Sequence, residues 1–109
     1  MSYDVSLLGG DRALGRGELE QHLASLGLVA NGSNHFVFMD AGKIYADADL
    51  AWSEGGDYTE PGERVNCIQV HIPAGFYESH SAAVLQTCEK LASHLEWRLF
   101  DEQEDKYLR

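Results

Sequence analysis

The stretch VNCIQVHIPAGFYESHSAAVLQTCEKLASHLEWRLFD (residues 65–101) decides the fold. Over 65–72, Ile68, Val70 and Ile72 alternate with Cys67, Gln69 and His71. That is the two-residue period of a strand with two unlike faces. Pro73 and Gly75 are expected to end it, because proline cannot donate to a ladder and glycine frees the backbone to turn. Residues 79–96 carry Val84, Leu85, Cys88, Leu91, Ala92 and Leu95 as one helical stripe, with Ser79 or Ser81 able to cap its start. Trp97 and Leu99 then alternate with Arg98 and Phe100, which predicts a last strand over 97–101.

Upstream, YDVSLL (3–8) alternates as a first strand, with Val5 and Leu7 on one side and Asp4 and Ser6 on the other. GGDRALGRG (9–17) holds four glycines and three charges, so a flexible loop is expected. Leu19, Leu23 and Leu26 fall at i, i+4 and i+7, which predicts a helix over 18–27 closed by Gly27. NGSN (31–34) reads as a turn, and HFVFMD (35–40), apolar on both faces, as a central strand. Residues 41–53 allow one strand with a bulge or two separate strands, and 54–64 read as an acidic loop. The element order is β-α-β-β(-β)-α-β within one domain, 1–109, with 101–109 an acidic tail of uncertain order. This order predicts an α+β two-layer sandwich of ferredoxin-like type, both helices on one face of a mixed sheet. His71, Gln69, Asp4 and Ser6 then share the sheet face away from the helices.

Eighteen acids oppose eight Lys and Arg, a formal net charge of −10. Such a surface repels phosphate backbones and anionic lipid, so neither nucleic acid nor membrane is the expected partner. A basic protein is, because opposite fields speed encounter. The N-terminus has no basic segment followed by an apolar run, and no window approaches a membrane span, so a cytoplasmic location is expected. Cys67 and Cys88 form no CxxC pair and read as reduced packing residues.

No reaction centre is legible. His22, His35, His71, His80 and His94 match no HExxH spacing, and His80 and His94 lie about four turns apart on one helix. Asp47 and Asp49 share a strand face, but the rest of a calcium loop is missing. The 9–17 loop sits where anions bind, between strand and helix, with Arg12 and Arg16; it lacks the Gly-Lys-Ser/Thr ending. Ser79 and His80 are neighbours in a helix, where adjacent side chains diverge. No cofactor or metal is expected, and no enzymatic activity.

The acids are the remaining signal. Between Asp40 and Glu63 there are seven, against one Lys, with Tyr45, Trp52 and Tyr58 interspersed. Aromatics among charges of one sign suit a protein interface. The candidate contact set is Asp47, Asp49, Trp52, Glu54, Asp57, Tyr58, Glu60 and Glu63. Residues 65–108 resemble small bacterial proteins of polymorphic-toxin immunity type: a strand ending at a Pro-containing turn, a helix, then a strand into an Asp-x-Gln element, here Asp101-Glu102-Gln103. The resemblance implies an inhibitor that covers a basic toxin domain; it assigns no residue a role. Two further readings stand beside it. One is a small-ligand or anion sensor built on the 9–17 loop. The other is a self-associating subunit, a homodimer joined by its open sheet face or an edge strand.

Overall fold

The computed structural model describes residues 2–109. The chain is α+β: two helices and an open antiparallel sheet, an arrangement compatible with a two-layer sandwich. The strands are β1 (Ser2–Leu8), β2 (Leu14–Gly15), β3 (Val29–Ala30), β4 (His35–Asp40), β5 (Lys43–Glu54), β6 (Asp57–Thr59), β7 (Arg64–Val65), β8 (Cys67–Pro73), β9 (Arg98–Asp101) and β10 (Lys106–Tyr107). The helices are α1 (Arg16–Ser25) and α2 (Ala74–Leu95). The main sheet runs β10-β9-β1-β8-β5-β4-β3, with β6 folded back on β5, and β2 pairs separately with β7.

The expected mixed sheet is not what forms, since every ladder is antiparallel. The reason is topological. Strands joined across a helix, such as β8 and β9, run the same way but are separated by β1, so they never pair. Strands that do pair are hairpin neighbours or lie on either side of such a crossover.

Residues 43–54 form one strand, which settles the open reading of 41–53. Two tight turns frame it. Ala41 and Gly42 both have positive φ, as do Gly55 and Gly56, the signature of two-residue hairpin turns whose twist matches the strands. The expected loop 54–64 therefore contains β6 and the start of β7. The strand expected over 65–72 is broken at Asn66. The Asn66 side chain accepts from the Ser53 N–H (2.7 Å) and donates to the Ser53 and Gly10 carbonyls (2.9 and 3.2 Å). It thus replaces ladder bonds where the backbone turns.

α2 starts five residues before the expected position. Pro73 ends β8 and also stands as the helix N-cap at φ −59°, where its missing N–H costs nothing. α1 likewise starts two residues early, at Arg16. The 9–17 loop is not loose. Trp97 lies against Gly9, where an added Cβ would come within 2.5 Å of the indole, and its Nε1 donates to the Arg12 carbonyl (2.8 Å). The tail is ordered too: β10 pairs with β9, and Leu108 packs on the core.

One continuous core joins Val5 and Leu7 of β1, Phe36 and Phe38 of β4, Ala46, Ala48 and Leu50 of β5, and Ile68, Val70 and Ile72 of β8. Leu19 and Leu23 of α1 and Val84, Cys88 and Leu91 of α2 close it. Small alanines on β5 leave room for the helices, and burial of this apolar set drives the fold. Among the described residues no helix is long and apolar enough to cross a membrane.

Candidate functional site

Strand alternation sends the other side chains of β1, β4, β5 and β8 to the face away from the core. Two cross-strand rows result. One is Val37, Asp47, His71 and Asp4; the other is His35, Asp49, Gln69 and Ser6. The placement of Asp4, Ser6, Gln69 and His71 on one face agrees with the alternation of the sequence.

The rows are tied by short polar contacts. His71 Nδ1 lies 2.8 Å from Asp4 Oδ1. His35 Nδ1 lies 2.8 Å from Asp49 Oδ1, and its Nε2 lies 3.7 Å from Asp47 Oδ1. The Ser6 hydroxyl donates to Glu102 Oε2 (2.6 Å). Glu102 reaches this face because the turn after β9 folds over β1. Gln103 accepts from the Asp4 N–H through Oε1 (2.5 Å) and donates to the Asp4 carbonyl through Nε2 (2.8 Å). That turn is built on buried Asp101. Its Oδ1 accepts from the Gln103 N–H and Nε2 (both 3.0 Å) and the Glu104 N–H (3.1 Å), and its Oδ2 accepts from the Tyr3 hydroxyl (2.5 Å).

Asp4, Ser6, Asp47, Asp49, His71 and Glu102 surround a shallow pocket of about 260 Å³. A second hollow beside it, about 320 Å³, is bounded by Asp49, Gln69 and the β6 hairpin residues Tyr58, Thr59 and Glu60. The Tyr58 hydroxyl donates to Glu102 across the gap at 3.4 Å. Burial raises the Tyr58 pKa, and the Glu102 charge adds to it against a lowering hydrogen bond from Ser6. Burial, with a smaller push from Glu102, raises the Cys67 thiol in this face to about 12, so it is not a nucleophile at neutral pH. The face can therefore accept positive charge and hydrogen bonds.

Of the expected contact residues, the structure brings together Asp47, Asp49, Tyr58 and Glu60. Glu54 and Asp57 face each other at the hairpin tip, and the Trp52 indole donates to Glu54 (3.3 Å). Glu63 stands apart, its carbonyl accepting from the Arg16 N–H at the start of α1. Sequence reasoning missed His35, hidden in a run read as apolar on both faces, and Glu102, assigned to a tail. Asp4 and His71 were legible by alternation, but their pairing across β1 and β8 was not.

One sequence expectation changes, at Ser79 and His80. The cations of the 9–17 segment, Arg12 and Arg16, both have partners within the chain. Arg12 pairs with Glu96 at 2.8 Å. Arg16 donates to the Ser33, Pro61 and Gly62 carbonyls (3.1, 3.1 and 2.9 Å) and to Asn34 Oδ1. Ser79 and His80 do not diverge: Ser79 Oγ lies 2.6 Å from His80 Nδ1, and His80 Nε2 lies 3.9 Å from Asp40. Stacking of His80 on Tyr45 at 4.2 Å turns the ring that way. Comparison with protein-family models, with curated proteins and with solved structures found no match.

Proposed function

We propose that the chain is a non-enzymatic protein-binding domain that receives a basic partner on its open sheet face and the adjoining β5–β6 hairpin. The observation that carries this reading is the convergence of Asp4, Asp47, Asp49 and Glu102, from three separate segments, on one outward pocket. Such a pocket suits a lysine or arginine side chain, with Tyr58 of the adjoining hollow offering contact area beside it. The engagement of Arg16 by the Ser33, Pro61 and Gly62 carbonyls favours this over an anion sensor on residues 9–17.

The resemblance over 65–108 makes a toxin-inhibiting immunity protein the specific form of the proposal, acting by covering a basic surface. Its Asp-x-Gln element would serve by carrying Glu102 onto the face. The strand order β9-β1-β8-β5 is read here as a ferredoxin-like plait, with β4 and β3 added at one edge and β10 at the other.

The test is co-purification with the product of the neighbouring reading frame, followed by titration at two salt concentrations. A one-to-one complex is expected, with affinity falling as salt rises. Joint Asp4→Asn, Asp47→Asn and Asp49→Asn substitution is expected to weaken it by about tenfold or more. Undiminished binding by the triple variant would refute the electrostatic mechanism.

A further inference from the structure

We propose that His22 and His94 form a two-histidine chelating site for a late first-row divalent cation, Zn²⁺ foremost. The two residues are distant in sequence and are brought together where α1 packs beside α2. Their ring centroids lie 4.7 Å apart, with the planes inclined at 63°. Two imidazoles bound to one tetrahedral Zn²⁺ through bonds of about 2.1 Å would have centres about 5 Å apart. The ring spacing is therefore already close to that of a chelate. Rotation about χ2, a soft torsion, is the movement that would direct one nitrogen of each toward a common point.

The surroundings favour a cation. Both histidines stand in the last turn of their helices, the negative end of the helix dipole. Glu18, one turn before His22, places Oε2 3.9 Å from His22 Nε2. It adds negative charge and can orient that ring. The rings open onto a groove of about 230 Å³ between the helices, also lined by Ser25 and Leu26 of the first and Lys90 and Leu91 of the second. Lys90 supplies the one opposing charge there.

His35, His71 and His80 are each engaged by Asp49, Asp4 and Ser79 at hydrogen-bond distance, whereas His22 and His94 face each other. No set of three or more His, Cys, Asp and Glu among the described residues is arranged to hold an ion. The site is therefore bidentate, with water at the remaining positions. Imidazole donors select Zn²⁺, Ni²⁺ or Cu²⁺ over Mg²⁺ or Ca²⁺. Burial raises the Cys67 and Cys88 thiols to about 12, which keeps them from competing in the folded chain.

Isothermal titration of the full chain with Zn²⁺ tests the site. One ion per chain is expected. Affinity should fall by about tenfold or more in His22→Gln and in His94→Gln, both checked by circular dichroism for an intact fold. A His80→Gln control should bind as the native chain does, and Lys90→Gln should bind more tightly. Ni²⁺ should broaden the ring-proton resonances of His22 and His94 before those of the other histidines. Absence of saturable binding to the native chain would overturn the proposal, as would full binding by the His22→Gln/His94→Gln double variant.

Discussion

Asp101 is the residue on which the C-terminal turn hangs. It is 3% exposed, and its carboxylate receives four hydrogen bonds from Tyr3, Gln103 and Glu104. Burial alone would raise its pKa; the Tyr3 hydroxyl, the Glu104 and Gln103 N–H groups and the Gln103 amide outweigh that and lower it below 3.8. A carboxyl lowered by folding contributes stability in full above its unfolded value. That contribution is lost as pH falls through the lower folded value. Urea denaturation should show Asp101→Ala costing about 3 kcal/mol at pH 7, because charged hydrogen bonds are broken and the Tyr3 hydroxyl is left unpaired. Part of the native chain's acid loss below about pH 4 should be missing in the variant. A variant as stable as the native chain would show that the turn is held by something else. In the sequence, Asp101 opens an acid-rich tail and looks solvated. Only the β1–β9 pairing, which sets Asp101 opposite Val5, shows that it is buried.

At the scale of elements, the sequence pattern located the strands and helices well in their middles and less well at their ends. The stripe of Val84, Cys88, Leu91 and Ala92 is buried as the spacing required. The early start of α2 was hidden because Pro73 and Gly75 serve equally as strand enders and as first-turn residues. The break at Asn66 was hidden for a different reason. An asparagine inside an alternating run gives no sign that its amide will bridge the Ser53 and Gly10 backbones from two other segments. Asn66→Ala removes three hydrogen bonds from a site 3% exposed. A loss of about 2–3 kcal/mol is expected, measured as a lower urea midpoint with the slope unchanged. Amide exchange should quicken first at Ser53 and around Gly9 and Gly10, where β5 and β1 lose their shared anchor. Exchange rates unchanged there would mean that the ladder does not depend on this amide.

The whole molecule carries a net charge of −10, and part of that charge is concentrated on one sheet face. Self-repulsion of this kind weakens the compact state and is screened by salt. The isolated chain should therefore melt at higher temperature as NaCl rises from about 50 to about 500 mM, with Debye lengths shrinking from over 10 Å toward 4 Å. Asp4→Asn with Asp47→Asn and Asp49→Asn should flatten that salt dependence while weakening the proposed complex. A melting temperature indifferent to salt in both chains would remove the repulsion argument. Alternation and charge count, both local properties, by themselves determined the α+β class, the core-facing residues and the negative surface. Pairing between distant strands and between helices decided the rest. It placed Asp4 beside His71, His35 beside Asp49, Glu102 above Ser6 and His22 against His94. A side-chain period tells which way a residue points, whereas its neighbours depend on which strand closes against which. That choice is made by burial of the shared core, not by any segment alone.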